Sequence, residues 1–255
     1  MTKNNKTSIS DTNEYKNFCK QSSVDDLVFS TFKQNKIFTE ILEHTSYQQG
    51  LDYISEINKN IKIDMSLIEK FKENDLQGSP ILYDYALPYG SISASTLRYL
   101  KVLNDLIINF GDLTNYNIVE IGVGYGGQSK IIQDQFKISE YNFIDLPEVL
   151  NLTKKYLSKF NYKNLSFLDF KNLPQKKYDL VISNYAFTEC SKEIQNLYLD
   201  KVINQSKNGF ILGNDIGEFF NITNYSKIEL LDKIQNSQVL DEKPLTHKDN
   251  YLLIF

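Results

Sequence analysis

The chain has 255 residues, of which 41% are hydrophobic and 24% charged, and its formal net charge is −4. These values are typical of a globular protein that buries a core of its own. The slight acidity argues against a nucleic-acid binder, and no apolar run approaches the roughly 18 residues of a membrane span. The polar N-terminus lacks the apolar stretch of a signal peptide. With only two cysteines, Cys19 and Cys190, we expect a cytoplasmic protein without a disulfide framework.

The first part of the chain predicts a tail followed by helices. Residues 1–20 are polar, and we expect them to form a mobile tail. Residues 21–110 predict a helical N-terminal cap and a connecting loop, because apolar residues recur there at spacings of three and four. The segment GSPILYDYALPYG, residues 78–90, contains two prolines and three tyrosines and predicts the loop. A helix should follow this loop and end at Gly111.

Residues 111–255 alternate between strand and helix patterns. The runs NIVEIGV, YNFID, LSFLD, YDLVISN and GFILGND each predict a strand, and helical segments follow all of them except LSFLD. This alternation predicts an α/β fold with a parallel sheet and helices on both faces. The last two strands, QVLDE and NYLLIF, are joined too closely for a parallel crossover, so we expect an antiparallel hairpin there.

A glycine-rich turn follows the first of these strands. Gly122, Gly124 and Gly127 match the G-x-G-x-x-G pattern of dinucleotide binding. Glu120, Gly122, Gly124 and Gly126 match the acidic-x-G-x-G-x-G pattern of S-adenosylmethionine binding. Glycines at this point allow a tight turn and let a ligand approach the backbone closely, but the turn alone does not choose between the two ligands.

Acidic residues at three successive strand ends favour S-adenosylmethionine. A carboxylate at Glu120 suits the ammonium group of a methionine moiety and would repel a pyrophosphate. Asp145 ends the next strand, where an acid can accept both ribose hydroxyls, and Asp169 ends the third, where it can meet an adenine amino group. The chain beyond the turn is also too short for a dinucleotide domain plus a catalytic domain.

The motifs IVEIGVGYGGQSKII, FIDLPEVLNL and YDLVISNYAFTE resemble the class I S-adenosylmethionine-dependent methyltransferases. More narrowly, the chain resembles the bacterial sugar O-methyltransferases found among capsule and surface-polysaccharide genes. ILEHTSYQQGLDYI, GSPILYDY, GSISASTLRYLKVLNDL and PLTHKDNYLLIF extend the resemblance to about residues 40–255. Val123 is a departure, because relatives often have another glycine there. The resemblance implies a Rossmann-like, seven-stranded sheet with an antiparallel last strand, and S-adenosylmethionine as the cofactor.

The predicted cofactor-binding residues lie in the glycine-rich turn and at the carboxyl ends of the strands, where ligands bind in such sheets. They are Glu120, Gly122, Gly124, Gly126, Asp145, Leu146, Asp169, Phe170 and Asn184.

Methyl transfer from a sulfonium needs an aligned acceptor oxygen and management of one proton. His247, in the turn before the last strand, is the first candidate for the base, although it can equally be an exposed turn residue. Glu189 and Asp215 follow the fourth and fifth strands and are the other candidates. Glu189 can instead be an acid favoured by a helix dipole. No closely spaced carboxylate cluster is present, so we expect no metal.

Five residues are candidates for binding the acceptor: Tyr83, Tyr85, Tyr89, Arg98 and Tyr185. The first three can line the pocket as stacking surfaces or pack their loop onto the sheet. Arg98 is the sole arginine of the chain. We favour its pairing with an acid over binding of an anionic acceptor, because it lies in the middle of a helix.

Together these features predict an O-methyltransferase acting on a small-molecule acceptor, a sugar or a nucleotide-linked capsule precursor. One alternative acceptor is a phosphorylated or phosphoramidate capsule precursor, for which a base matters less. Two other interpretations are a non-catalytic S-adenosylmethionine-binding protein and an NAD-dependent dehydrogenase. The oligomeric state stays open between a monomer and a homodimer.

Overall fold

The computed structural model describes residues 7–255. A short hairpin, β1 and β2, precedes seven strands that form one sheet. The strands are β1 (Tyr83–Asp84), β2 (Ser91–Ile92), β3 (Asn117–Ile121), β4 (Glu140–Asp145), β5 (Leu165–Asp169), β6 (Tyr178–Asn184), β7 (Ser206–Asn214), β8 (Gln238–Asp241) and β9 (Asn250–Ile254). Their order across the large sheet is β5-β4-β3-β6-β7-β9-β8, and β9 runs antiparallel to both of its neighbours.

Ten α-helices surround this sheet within the described part of the chain. The first five form the N-terminal region: α1 (Asn13–Val24), α2 (Asp26–Ser30), α3 (Lys36–Ile41), α4 (Tyr47–Lys59) and α5 (Ile68–Lys72). The other five follow: α6 (Ala94–Phe110), α7 (Gly127–Gln135), α8 (Pro147–Leu157), α9 (Lys192–Lys201) and α10 (Lys227–Lys233). None of the helices in residues 7–255 has the length and apolarity that crossing a membrane requires.

Helices cover both faces of the sheet, which explains why the residues of its central strands are mostly apolar. One face packs against α6, α7 and α8, and the opposite face packs against α9 and α10. In β3, Ile118 belongs to the first core and Val119 to the second, as the alternation of a strand requires. Glu120 therefore points to the same face as Ile118. The predicted sheet, parallel apart from its antiparallel last strand, is confirmed, and the chain has the α/β Rossmann-like fold of class I methyltransferases.

The predicted mobile tail is wrong from residue 13 onward, because α1 begins there, capped by the Thr12 side chain. Tyr15, Phe18 and Cys19 are buried, and the Tyr15 ring lies 6.2 Å from that of Phe38. Residues 1–6 lie outside the described residues. The tail prediction rested on polar composition, and the few aromatic residues that anchor α1 carry little weight in such an average.

Candidate functional site

A cavity of 1080 Å³ lies at the carboxyl ends of β3, β4, β6 and β7. Its wall combines the glycine-rich turn after β3 with the ends of the neighbouring strands. The N-terminal helical region and the loop between β8 and β9 contribute the rest. The carboxyl ends of parallel strands lie at the same edge of the sheet, so residues that are far apart in the sequence come together in this cavity.

The turn after β3 has a backbone that requires glycine. Gly122, Gly124 and Gly126 have φ angles of 76°, 54° and 93°, a region that L side chains rarely adopt. A Cβ atom at Gly122 would lie only 1.9 Å from the Ala186 Cβ atom. Gly122 and Gly124 line the cavity, whereas Gly126 lies outside it and precedes α7. Val123 is accommodated with its side chain buried.

Glu120 places a buried carboxyl group in the cavity wall. Its side chain is 2% exposed, and the Tyr141 hydroxyl donates a hydrogen bond to it at 2.6 Å. Burial raises the pKa of Glu120 to about 8, and the nearby Asp145 charge acts in the same direction. A cationic group bound beside Glu120 would favour the ionised carboxylate and so lower this pKa.

Asp145 lies at the end of β4 beside the glycine-rich turn. It accepts hydrogen bonds from the backbone N–H groups of Leu146, at 2.7 Å, and Gly124, at 3.2 Å. Burial raises the pKa of Asp145 to about 6, although these backbone donors oppose the shift. Both Asp145 and Leu146 line the cavity.

The end of β5 contributes an aromatic ring instead of the predicted carboxylate. Asp169 is exposed, caps a short 3-10 turn through the N–H of Lys171, and does not line the cavity. Its predicted contact with adenine therefore has no support from this geometry. The next residue, Phe170, is buried and does line the cavity.

Three side-chain oxygens in the wall are buried without a hydrogen-bond partner among residues 7–255. They belong to Asn184, Asn214 and Gln128. A buried polar atom left without a partner is costly, so a ligand or water in the cavity would relieve these groups. Sequence reasoning identified Asn184 and missed the other two. The position of Asn214 at the end of β7 and of Gln128 in the first turn of α7 could have identified them.

The predicted bases separate into two groups. His247 lines the cavity, its side chain is 54% exposed, and its Nδ1 atom lies 3.5 Å from Asp249 Oδ2. Glu189 also lines the cavity and accepts a hydrogen bond from Asn214 Nδ2 at 2.9 Å, and burial raises its pKa. Asp215 lies outside the cavity, where it accepts a hydrogen bond from the Lys227 N–H at 3.2 Å. The prediction that Asp215 is a base is therefore wrong for this cavity, and its carboxylate instead binds the start of α10.

Tyr83, Tyr85 and Tyr89 do not line the cavity. The Tyr85 ring stacks on that of Tyr47 with centroids 5.0 Å apart, and the Tyr89 hydroxyl donates to Asn58 Oδ1 at 3.2 Å. These rings pack their loop onto α4, so their predicted placement in an acceptor pocket is wrong. The sequence alone left both uses of the rings open, and the contact with α4 decides between them.

Arg98 and His44 both face the cavity. The Arg98 guanidinium donates to the Leu42 carbonyl oxygen at 3.0 Å and lies 5.4 Å from the centre of the Tyr99 ring. No ion pair joins Arg98 to a carboxylate within residues 7–255, so the prediction that Arg98 pairs with an acid is wrong. Burial and the Arg98 charge lower the pKa of His44. The positive charge of Arg98 therefore disfavours a second positive charge on His44 in this corner of the cavity.

Tyr185 lines the cavity directly after β6 and adopts a φ of 68°, which is unusual for a tyrosine. Its hydroxyl donates to the carboxylate of Glu242, in the loop between β8 and β9. The structure thus places Tyr185 at the predicted site and supplies a partner for it, Glu242, that the sequence did not indicate.

The segment before α1 closes one side of the cavity. The Ile9 N–H donates to the Glu189 carbonyl at 3.2 Å, and the Ser191 N–H donates to the Thr7 carbonyl at 2.8 Å. Thr7, Ser8 and Ile9 all line the cavity. Part of the predicted mobile tail is therefore attached to the chain that follows β6.

In chemical terms, the cavity wall contains the carboxyl groups of Glu120 and Asp145 and the aromatic ring of Phe170. The side chains of His247 and Glu189 and the Arg98 guanidinium line the same cavity. No group of three or more His, Cys, Asp or Glu side chains within residues 7–255 is arranged to hold a metal ion.

No protein-family model matches the chain. Part of it is similar to two malonyl-[acyl-carrier protein] O-methyltransferases of Ilyobacter polytropus. One is 37% identical over 81 residues, which is 30% of this chain and 30% of that protein. The other is 42% identical over 77 residues, 28% of this chain and 29% of that protein. The non-reducing polyketide synthase ausA of Aspergillus calidoustus is 27% identical over 120 residues, 43% of this chain and 5% of that protein. The matches thus span less than a third of each of these curated relatives.

Solved structures that are similar to part of the chain match it at low sequence identity. The N-methyltransferase NodS from Bradyrhizobium japonicum, in complex with S-adenosyl-L-homocysteine, is 11% identical with a TM-score of 0.48, over 62% of this chain and 83% of that chain. An rRNA methylase from Streptococcus thermophilus is 14% identical with a TM-score of 0.45, over 62% of this chain and 95% of that chain. The assignment to the class I methyltransferase fold rests on the strand order of the chain itself.

Proposed function

We propose that this chain is an S-adenosylmethionine-dependent O-methyltransferase acting on a small-molecule acceptor. One observation carries the proposal: Glu120 and Asp145, at the ends of adjacent strands, line the same cavity on either side of the glycine-rich turn. S-adenosylmethionine has an ammonium group and two ribose hydroxyls. One carboxyl group would bind the ammonium and the other would bind the hydroxyls. The O-methyltransferases among the relatives support the same class.

The residues present fit the cofactor. Glu120 would hold the ammonium group of the methionine moiety, and Asp145 would accept hydrogen bonds from the ribose hydroxyls. Phe170 offers its ring to the adenine, and Gly122 and Gly124 leave room for close approach of the ligand. The partnerless oxygen of Asn184 supplies a further acceptor. When bound, the cofactor supplies a methyl group already activated on a sulfonium.

The protein must then align the acceptor oxygen and remove one proton. His247 and Glu189 remain as candidate bases, because both line the cavity whereas Asp215 does not. His247 is accessible and lies near Asp249, so an imidazolium formed there would have a carboxylate at hand. We propose His247 as the base for a hydroxyl acceptor, with Glu189 as the alternative.

For the acceptor we propose a sugar hydroxyl, on a free or nucleotide-linked capsule precursor. Arg98 favours an acceptor that also carries an anionic group, because its guanidinium faces the cavity with no carboxylate paired to it in the described chain. A nucleotide-linked sugar has such a group in its diphosphate. The same observation favours, as a second candidate, methylation of a phosphorylated or phosphoramidate acceptor.

Turnover with a panel of acceptors tests the proposal. The purified protein is incubated with S-adenosylmethionine and nucleotide sugars, free sugars or sugar phosphates, and S-adenosylhomocysteine release is measured. Mass spectrometry then identifies the methylated atom. We expect release that depends on a hydroxyl-bearing acceptor and a methyl ether as the product. Binding of the cofactor without turnover across acceptor classes would favour a non-catalytic binding protein, and tight binding of NADH in its place would contradict the class.

A further inference from the structure

The hydroxyl of Tyr185 is a hydrogen-bond donor to one particular carboxylate. It donates its single proton to Glu242 Oε1, and a phenol has no second proton to donate. Glu242 Oε2 accepts three more hydrogen bonds, from the Thr246 N–H and hydroxyl at 2.8 Å each and from Asn250 Nδ2 at 3.1 Å. Every hydrogen-bond partner of this carboxylate is therefore a donor, as an ionised carboxylate requires.

Glu242 lies behind Tyr185, away from any ligand. Its side chain is 5% exposed and does not line the cavity, whereas Tyr185, Thr246 and Asn250 all do. Turning the Tyr185 hydroxyl toward the cavity would leave Glu242 Oε1 buried without its donor, which carries the full desolvation penalty of a charged oxygen. The direction of the Tyr185 hydrogen bond is thus fixed from the side opposite the cavity.

Tyr185 also lies where an acceptor would meet the cofactor. The residue after it, Ala186, contacts the glycine-rich turn at Gly122, so Tyr185 borders the cofactor-binding side of the cavity. Tyr53 and Arg98, which both line the cavity, are near enough to act on the charge of its hydroxyl. A ligand that reaches the Tyr185 oxygen finds lone pairs there and no proton.

We propose that Tyr185, oriented by Glu242, selects an acceptor that carries a second hydroxyl beside the reacting one: this neighbouring hydroxyl donates a hydrogen bond to the Tyr185 oxygen, which an ionised carboxylate or phosphate in its place cannot do, and the proton of the reacting hydroxyl stays free for the base. This inference rests on the proposed methyltransferase function and narrows its acceptor class. Tyr185 is the group that touches the acceptor, and Glu242 is a positioning residue that acts through it. An anionic group elsewhere on the acceptor remains compatible with Arg98.

Proton NMR of the protein saturated with S-adenosylhomocysteine tests the hydrogen bond without any acceptor. A hydroxyl proton held in a buried hydrogen bond to a carboxylate resonates downfield of the amide region. The Tyr141–Glu120 and Tyr162–Asp134 pairs also give resonances of this kind, which should remain in every variant. We expect a further resonance in the wild type that is lost both in Tyr185→Phe and in Glu242→Gln and retained in the control Glu140→Gln. Glu140 is a suitable control because its carboxylate pairs with Lys176 and Ser166 at the opposite end of β4. No resonance lost in Tyr185→Phe, or survival in Glu242→Gln of the one that is lost there, would overturn the proposal.

Glu242→Gln also supplies a functional test. The amide of glutamine can donate to the Tyr185 oxygen, which frees the phenol proton to point into the cavity. The probes are UDP-glucose and UDP-glucuronate, which differ by a hydroxymethyl group against a carboxylate. We expect the wild type to bind UDP-glucose more tightly and Glu242→Gln to reduce that preference about tenfold. A wild type that prefers UDP-glucuronate, or a preference for UDP-glucose that is unchanged in Glu242→Gln, would contradict the inference. Failure of S-adenosylhomocysteine to bind would instead contradict the proposed function.

Discussion

The carboxylate of Asp145 accepts a hydrogen bond from the backbone N–H of Gly124 at 3.2 Å. This contact joins the end of β4 to the glycine-rich turn after β3, so the acid and the turn form one unit of the cavity wall. Gly124 has a positive φ, which allows its N–H to be presented in this way. The affinity for the cofactor should therefore depend on the charge of Asp145.

The affinity for S-adenosylhomocysteine should fall as the pH drops through about 6. Burial raises the pKa of Asp145 to about 6, and a protonated carboxyl accepts hydrogen bonds from ribose hydroxyls less well than a carboxylate. Isothermal titration calorimetry between pH 5 and 8 measures this dependence. We expect the wild type to lose affinity toward pH 5 and Asp145→Asn to have a lower affinity with a flatter profile. Equal pH profiles for the two proteins would contradict this role of Asp145.

The same substitution should not destabilise the unliganded protein at pH 7. The pKa of Asp145 in the folded chain, about 6, exceeds its ordinary value of 3.8. Between pH 4 and 6 the folded state therefore keeps a proton on Asp145 that the unfolded state has already lost. The free energy of unfolding falls as the pH rises through this range, and above it the ionised carboxylate destabilises the folded state. We expect Asp145→Asn to unfold in urea at pH 7 at the same concentration as the wild type or a higher one. A large drop in that midpoint would show that the carboxylate is needed for folding.

Binding of S-adenosylmethionine should release a proton through Glu120. Burial raises the pKa of Glu120 to about 8, so its carboxyl group is largely protonated at pH 7 in the free protein. A nearby ammonium group favours the ionised form and lowers the pKa, so the proton leaves on binding. Calorimetry at pH 7 in buffers of different ionisation enthalpy counts the protons released. The wild type should release more protons than Glu120→Gln. Equal proton release by the two proteins would show that Glu120 does not bind the ammonium group.

His247→Ala should lower kcat by about 10²–10⁴-fold, the usual contribution of a general base, with little change in cofactor affinity. The matched control is Asp241→Ala, an exposed position at the end of β8 that does not line the cavity. Steady-state kinetics with the best acceptor from the panel gives kcat, and calorimetry gives the cofactor affinity. Near-normal turnover of His247→Ala would remove it from the mechanism and make Glu189→Gln the next variant to measure.

Gly122→Ala should destabilise the protein more than Gly90→Ala does. Both positions have a positive φ, which costs an alanine about 1–2 kcal/mol. At Gly90 the new methyl group would meet only the end of the flexible Lys72 side chain, at 3.3 Å. At Gly122 it would collide with Ala186, which adds about 1–3 kcal/mol of overpacking. Urea denaturation measures both losses, and equal losses would show that the turn can move away from Ala186.

The strands and the glycine-rich turn could be predicted from the sequence, whereas the roles of side chains at the strand ends could be predicted only in part. The apolar strand runs and the glycine-rich turn carry strong local signals, so the sheet, its antiparallel hairpin and the positions of Glu120 and Asp145 followed from sequence. Asp169 and Asp215 occupy comparable strand ends, but their side chains accept hydrogen bonds from backbone N–H groups outside the cavity, those of Lys171 and Lys227. A cap and a ligand contact use the same carboxylate oxygens, and only the fold decides between them.

Contacts between distant segments could not be predicted in the same way. Tyr185 and Glu242 are 57 residues apart, and their hydrogen bond depends on the loop between β8 and β9. The three tyrosines of residues 78–90 could be assigned to packing only once α4 was placed beside them. Helix α1 shows the same limit, because its aromatic residues find partners such as Phe38 only in the folded chain.

The most direct test of the central claim is a calorimetric comparison of S-adenosylmethionine, S-adenosylhomocysteine and NADH as ligands of the wild type and of Asp145→Ala. The two S-adenosyl compounds should bind the wild type at one site per chain, and NADH should bind far more weakly. Loss of the charged acceptor should cost Asp145→Ala about 2 kcal/mol of binding free energy or more, which Glu140→Gln should not show. Tighter binding of NADH, or unchanged affinity of Asp145→Ala for S-adenosylhomocysteine, would contradict the claim that this cavity is an S-adenosylmethionine site.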